Sequence, residues 1–133
     1  MTVSPSETIL VLDFGSQYTQ LIARRIRENS VFSVVHPCDY PVEQIRQLAP
    51  RGIVLSGGPQ SVYSENAPYC SRQIFDLGIP ILGICYGMQL TAYFLDGNVE
   101  AATEREYGRA EIDVIAKSPL FAETPSHQKV WAS

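Results

Sequence analysis

A cysteine held between two glycines is the pattern in this chain best suited to chemistry. The segment Pro80–Leu90 places an apolar, strand-like run directly before Cys85 and an apolar helical pattern directly after it. The spacing Gly83-x-Cys85-x-Gly87 is the cysteine form of a nucleophile elbow, in which small flanking residues allow a sharp reversal of the chain. The positive end of a helix dipole also favours the reactive thiolate. The pattern predicts a nucleophile, with a buried free cysteine in an α/β core as the alternative.

A glycine pair forms the second segment of interest, Ser56-Gly57-Gly58-Pro59. An acyl-transfer cysteine needs backbone N–H donors, because negative charge develops on the carbonyl oxygen under attack. Glycines leave such donors open, so this segment is a candidate oxyanion loop. The alternatives are an ordinary turn and a pyrophosphate-binding loop of the Ser-Gly-Gly-x-Asp-Ser type, which Gln60 and Pro59 argue against.

The elements that position these segments alternate between strand and helix as far as Gly97. Apolar runs predict strands at 9–12, 31–35, 52–56 and 81–84, and amphipathic or apolar helical patterns predict helices at 17–28, 42–48, 67–77 and 86–95. Ser16 is the expected N-cap of the first helix. The alternation predicts an α/β fold with a doubly wound, mostly parallel sheet and helices on both faces. The third and fourth strands should be neighbours, with the candidate site at their carboxyl ends.

The pattern changes after Gly97. Residues 99–106 and 109–116 are predicted as two strands around Tyr107-Gly108, and residues 128–133 as a further strand. Residues 1–7 form a polar lead, and residues 8–133 are predicted as one domain.

Composition narrows the classes of partner. The chain has 133 residues, a net charge of −4 and no basic run, so nucleic acid and an anionic membrane surface are not expected as partners. No apolar stretch is long enough to span a bilayer. The three scattered cysteines, Cys38, Cys70 and Cys85, suggest neither a disulfide framework nor a zinc site, and favour a reducing, cytoplasmic setting.

A catalytic base for the thiol is not evident. His36 and His127 are the histidines of the chain, and neither lies in a pattern typical of catalysis. Lone histidines are more often structural or surface groups, so neither is expected to serve as the base.

Together these motifs resemble the class I glutamine amidotransferase family. The resemblance is carried by three segments, with further agreement in two more: Ile9–Arg25, Gly52–Pro59 and Gly83–Gln89, then Glu104–Gly108 and Val130–Ser133. It covers nearly the whole chain from Thr8, and it implies a flavodoxin-like fold in which residues 8–133 form a partial domain, truncated at the C-terminus. Within the class, the run Asp13–Tyr18 and the Cys85-Tyr86-Gly87 sequence resemble the GMP-forming branch. Another class I glutaminase, of the anthranilate synthase or carbamoyl phosphate synthetase type, is the alternative, as is a non-catalytic domain that keeps the fold.

The resemblance also implies roles for individual residues. Cys85 would attack the side-chain amide of glutamine, forming a thioester and releasing ammonia. The N–H groups of Gly58 and Tyr86 would form the oxyanion hole. Substrate contacts would come from Gly57, Gln89 and Ser133. No metal or cofactor is implied for this domain.

A synthetase domain of the ATP-pyrophosphatase type is the implied partner. It would use the ammonia, with ATP and Mg²⁺, to aminate XMP to GMP, and the full enzyme is expected to be a homodimer. The family's catalytic His-x-Glu segment would lie beyond residue 133, so this chain alone is expected to lack the base and efficient glutaminase activity. A strand missing beside the one that leads to Cys85 would leave an open sheet edge, which invites self-association.

Overall fold

A computed structural model describes residues 7–58, 67–99, 108–116 and 118–132. The chain divides into two compact units, one within residues 1–99 and one within residues 100–133. Each unit is described by itself. Across the described ranges, no helix combines the length and the apolar character that crossing a membrane requires.

The first unit alternates strand and helix, as the sequence predicts. Its strands are β1 (Thr8–Asp13), β2 (Phe32–Pro37), β3 (Gly52–Leu55) and β4 (Ile81–Gly83). Its α-helices are α1 (Thr19–Glu28), α2 (Val42–Leu48) and α3 (Tyr86–Phe94), and a 3-10 helix occupies Arg72–Asp76.

The four strands form one parallel sheet in the order β2-β1-β3-β4. The expected pairing of the third and fourth strands is confirmed, with Val54 opposite Leu82 and Leu55 opposite Gly83. All four residues of β3 are buried, which fits a strand covered on both faces. The order therefore places the loops after β1, β3 and β4 side by side at one edge of the sheet.

Helices cover both faces of the sheet, which confirms the doubly wound α/β prediction. On one face Ala23 of α1 packs against Val11 and Val54. On the other face α2, the 3-10 helix and α3 contribute Ile45, Ile74 and Leu90 to a larger cluster. Full burial of such side chains stabilises the fold by roughly 1.5–3 kcal/mol each.

The predicted helix at 67–77 is wrong in extent. Only Arg72–Asp76 is helical, as a 3-10 helix. Ser71 has an extended backbone, with a φ of −67° and a ψ of 131°, so a regular helix does not run through the whole segment. The Ser71 hydroxyl accepts from the N–H of Gln73 at 3.2 Å and marks where the helical turn begins.

The predicted N-cap at Ser16 is also wrong. Helix α1 begins at Thr19, and its first turn has no side-chain cap. The Ser16 hydroxyl instead accepts from the N–H of Tyr18 at 3.0 Å, within the loop that precedes the helix. Gly15 has a φ of 97°, so the chain reverses there before the helix can start.

The second unit contains an antiparallel pair of strands. Strand β5 (Gly108–Asp113) pairs with β6 (His127–Ala132), and a 3-10 helix lies at Pro119–Phe121 between them. The strand predicted at 109–116 is thus shorter than expected. Of the strand predicted at 99–106, only Val99 is among the described residues, and it is not in a strand.

Candidate active site

Three loops converge at the carboxyl ends of the strands. The N–H of Ile84, directly after β4, donates to the Leu55 carbonyl at the end of β3 at 3.0 Å. A Cβ atom placed on Gly57 would lie 3.4 Å from the Cβ of Cys85 and 3.6 Å from the Oγ of Ser16. The glycine loop, the elbow and the loop after β1 are therefore in contact, as the sequence leads one to expect.

Cys85 occupies a sharp turn between β4 and α3. Its backbone has a φ of 51° and a ψ of −111°, a conformation that non-glycine residues rarely adopt. Such a residue costs about 1–3 kcal/mol and persists only where the surrounding structure enforces it. The side chain is exposed. The turn thus holds the thiol clear of the sheet at the N-terminus of α3, as in a nucleophile elbow.

The two glycines of the elbow are required by close backbone packing. A Cβ on Gly83 would lie 2.7 Å from the carbonyl carbon and oxygen of Gly87. A Cβ on Gly87 would lie 2.2 Å from the carbonyl oxygen of Leu55, far inside van der Waals contact. The spacing Gly83-x-Cys85-x-Gly87 therefore lets the first turn of α3 rest directly on β3 and β4.

The other two cysteines lie in a different environment. Burial raises the pKa of the Cys70 thiol to about 12. Burial, with a contribution from the Asp39 carboxylate, also raises the pKa of Cys38. Both thiols are thereby kept in the protonated, unreactive form. Exposure and position at a helix N-terminus set Cys85 apart from them.

Tyr86 anchors the first turn of α3. Its side chain is 1% exposed, and its ring packs against Phe14 with the ring centroids 5.5 Å apart. Its hydroxyl donates to the Pro68 carbonyl. Burial raises the pKa of this phenol to about 12, so the hydroxyl remains a donor at neutral pH. Since the first N–H groups of a helix have no acceptor within the helix, the N–H of Tyr86 is available to a ligand.

Gly58 lies against the same tyrosine. A Cβ on Gly58 would be 3.2 Å from the Cγ of Tyr86 and 3.0 Å from the carbonyl oxygen of Phe14. Gly58 therefore contacts Tyr86, the other residue whose N–H is predicted to form the oxyanion hole.

The predicted substrate contacts are placed in part. Gln89 lies one helical turn after Cys85, and its N–H donates to the Cys85 carbonyl at 3.1 Å. This bond ties the first turn of α3 to the elbow. Gly57 is beside Cys85, as described above, and Ser133 lies outside the described residues.

His36 is not placed as a partner of the thiol. His36 is on β2 at the opposite edge of the sheet from β4, which corresponds to three strand spacings or about 14 Å. Its ring stacks on Tyr40 at 3.8 Å. His127 belongs to the second unit, where its Nδ1 lies 2.8 Å from the Asp113 carboxylate.

A buried hydroxyl pair lies beneath the loops and was not predicted from the sequence. Ser56 and Thr19 are 0% and 2% exposed, and their hydroxyl oxygens are 3.2 Å apart. They join the carboxyl end of β3 to the start of α1. The sequence shows only that small hydroxyl residues lie beside the two loops. The contact between Ser56 and Thr19 is seen only in the folded chain.

Comparison with known proteins assigns the class. The family Glutamine amidotransferase class-I matches residues 10–133, and the chain belongs to this family. A parallel sheet that presents an exposed cysteine at a strained strand–helix turn, beside a glycine loop, agrees with that membership.

Individual relatives point to one branch of the family. The chain is 56% identical over 133 residues to the GMP synthases (glutamine-hydrolyzing) of Bacillus pumilus and Bacillus subtilis. The match covers 100% of this chain and 26% of each relative, so the chain spans about a quarter of their length. A crystal structure of a Thermoplasma acidophilum protein, described as a GMP synthase subunit, superposes with a TM-score of 0.80 at 31% identity. That match covers 95% of this chain and 63% of the other.

Proposed function

We propose that Cys85 is the nucleophile with which a glutaminase that contains this domain hydrolyses the side-chain amide of glutamine; the isolated chain is not expected to do so efficiently. The observation that carries the proposal is the strained, exposed position of Cys85 directly beside the Gly57-Gly58 backbone. Membership of the class I glutamine amidotransferase family names the substrate.

The chemistry follows from the groups that meet at this site. The Cys85 thiolate attacks the amide carbon, a carbon–sulfur bond forms, and the carbonyl electron pair moves onto oxygen. The N–H groups of Gly58 and Tyr86 donate to that oxyanion in the tetrahedral intermediate. Collapse breaks the carbon–nitrogen bond, the nitrogen leaves as ammonia after protonation, and a thioester remains. Water then cleaves the thioester to give glutamate and free Cys85.

Substrate orientation is assigned to groups around the thiol. Gln89 lies on α3 close after the thiol, and its amide side chain offers both a donor and acceptors to the amino acid portion of glutamine. Gly57 brings backbone close to the same position, and Ser133 is assigned to the substrate by resemblance.

The wider role extends the proposal to a larger enzyme. We assign the ammonia to a synthetase domain that aminates XMP to GMP in purine biosynthesis, within a cytoplasmic homodimer. ATP and Mg²⁺ are assigned to that synthetase domain. Two Bacillus relatives named glutamine-hydrolyzing GMP synthases support this assignment.

Covalent labelling tests the proposed nucleophile. In the full enzyme, a diazo-ketone analogue of glutamine should modify Cys85 and leave the less accessible Cys38 and Cys70 unmodified, as measured by peptide mass spectrometry. Excess glutamine should slow the labelling, and the Cys85→Ala variant should not be labelled. Absence of labelling in the unaltered protein would favour a non-catalytic domain that has kept the fold.

A further inference from the structure

Ser56 lies fully buried directly before the glycine pair. Its side chain is 0% exposed, and its hydroxyl oxygen accepts from the N–H of Phe14 at 3.1 Å. The same hydroxyl lies 3.2 Å from the carbonyl oxygen of Gly57 and donates to it. One side chain therefore holds both the loop after β1 and the first peptide of the glycine loop.

The Ser56 hydroxyl has a third neighbour in Thr19. A serine hydroxyl has one proton and two lone pairs. The proton is directed to the Gly57 carbonyl, and the Phe14 N–H occupies one lone pair. The Thr19 hydroxyl lies 3.2 Å away and is a third neighbour of the Ser56 hydroxyl. The Ser56 hydroxyl thus contacts the loop after β1, the start of α1 and the Gly57 carbonyl.

Thr19 is itself fixed. Its hydroxyl oxygen lies 3.1 Å from the Asp13 carboxylate and 3.2 Å from the Ser16 carbonyl. The Asp13 carboxylate also accepts from the N–H of Gly15 at 2.8 Å. The position of Ser56 is therefore set by contacts with the loop after β1 as well as by β3.

The hydrogen bond from Ser56 to the Gly57 carbonyl also sets the direction of the Gly58 N–H. The C=O of Gly57 and the N–H of Gly58 belong to one planar peptide group, and in a trans peptide they point in opposite directions. The described residues contain no cis peptide bond. Because Ser56 draws the Gly57 carbonyl into the core, the Gly58 N–H is directed out of the core. Rotation of this one peptide would withdraw the donor assigned to the oxyanion.

We propose that Ser56 is a positioning residue for catalysis, whose hydroxyl fixes the Gly57–Gly58 peptide so that the Gly58 N–H faces the developing oxyanion. This inference rests on the proposed function, because the direction of the Gly58 N–H affects catalysis only if an oxyanion forms at this site. Ser56 itself does not touch the substrate.

The test separates oxyanion stabilisation from thiol reactivity. Acylation of Cys85 by the γ-para-nitrophenyl ester of glutamate passes through a tetrahedral oxyanion and releases para-nitrophenolate, which is followed by its absorbance. Alkylation of Cys85 by iodoacetamide displaces iodide and forms no oxyanion. Site-resolved mass spectrometry gives both rates at Cys85. Because both reactions depend on the reactivity of the thiol, the ratio of acylation to alkylation measures stabilisation of the oxyanion by the N–H donors.

The Ser56→Ala variant should lower the acylation rate at least about tenfold, since loss of a single oxyanion donor costs about 10²–10³-fold. Alkylation of Cys85 should change by less than about twofold, because it needs no such donor. The matched control is Ser33→Ala: Ser33 is also buried, and its hydroxyl donates to the Ala23 carbonyl at 2.7 Å, away from the site. That variant should leave the ratio of acylation to alkylation unchanged.

Each outcome has a defined meaning. An unchanged ratio in Ser56→Ala overturns the positioning role while leaving the proposed function standing. If the unaltered protein is acylated no faster, relative to alkylation, than a small-molecule thiol, the oxyanion hole and the proposed function fail together. Should Ser56→Ala not fold, Ser56→Cys keeps the side-chain volume with only a weak donor, and its ratio must fall for the inference to hold.

Discussion

At the scale of single residues, the site depends on a backbone conformation that its side chain disfavours. The φ of 51° and ψ of −111° at Cys85 lower the stability of the fold, and the same conformation holds the thiol clear of the sheet. A glycine would adopt this conformation with much less strain. The residue that makes chemistry possible is therefore not the residue that would stabilise the fold.

This conflict predicts the order of stability of two variants. Cys85→Gly should be more stable than Cys85→Ala by about 1 kcal/mol, because relief of about 1–3 kcal/mol of strain exceeds the roughly 0.5–1 kcal/mol entropy cost of glycine. Urea unfolding monitored by circular dichroism measures the difference.

Gln20, an exposed residue of α1, provides the matched control. There the order should reverse, with Gln20→Ala more stable than Gln20→Gly by about 1 kcal/mol, as is usual within a helix. The same order at both positions would show that the Cys85 backbone is not strained.

At the scale of elements, the sequence predicts most of the first unit because its apolar runs are unambiguous. β1 and β3 are short apolar runs, and burial on both faces makes them typical strands of a parallel sheet. The helix prediction at 67–77 is wrong because the apolar spacing there resembles a helix, whereas the extended backbone of Ser71, which caps the turn, delays the start of helical structure. Periodicity reports which face is buried, but not where a helix can start.

The contact between α3 and β3 gives a prediction at this scale. Gly87→Ala should destabilise the protein by about 2–3 kcal/mol, the upper part of the usual range for overpacking, because its Cβ meets backbone that cannot move aside. That backbone atom is the Leu55 carbonyl oxygen, 2.2 Å from the position of the new Cβ. The free energy of urea unfolding measures the loss.

Met88, the next residue of α3, is 60% exposed and serves as the comparison. Met88→Ala should change stability by less than about 0.5 kcal/mol, as is usual for surface positions. Equal effects at Gly87 and Met88 would contradict the close approach of α3 to β3.

At the scale of the whole molecule, the sequence predicts which loops meet but not what holds them. The alternation of elements predicts parallel strands, and the expected pairing of the third and fourth strands brings the glycine loop beside Cys85. The full order β2-β1-β3-β4, in which β2 and β3 are not neighbours, does not follow from the alternation. The hydroxyl pair of Ser56 and Thr19 has no such signature. The two residues are 37 positions apart, and their contact depends on the register of β1 against β3 and on where α1 begins.

Burial of a thiol also couples the stability of the whole fold to pH. The pKa of Cys70 is raised from 9.0 to about 12 by burial in the folded protein. Below its ordinary pKa the thiol is protonated in both states and contributes nothing to the pH dependence. Above that value the unfolded chain loses the proton while the folded protein keeps it. The unfolded state then binds fewer protons, so stability must fall as pH rises towards the folded pKa.

The expected loss is about 1.4 kcal/mol between about pH 8 and pH 10, from about 1.36 kcal/mol for each pH unit above the unfolded pKa. Urea unfolding across this range measures it. Cys70→Ala should remove most of the loss, while the raised pKa of Cys38 contributes in the same direction in both proteins. The cavity left by the substitution lowers the free energy of unfolding equally at every pH. The two proteins are therefore compared by how steeply that free energy changes with pH, not by its absolute value. A Cys70→Ala protein that loses stability as steeply as its parent would show that this thiol is not kept protonated by the fold.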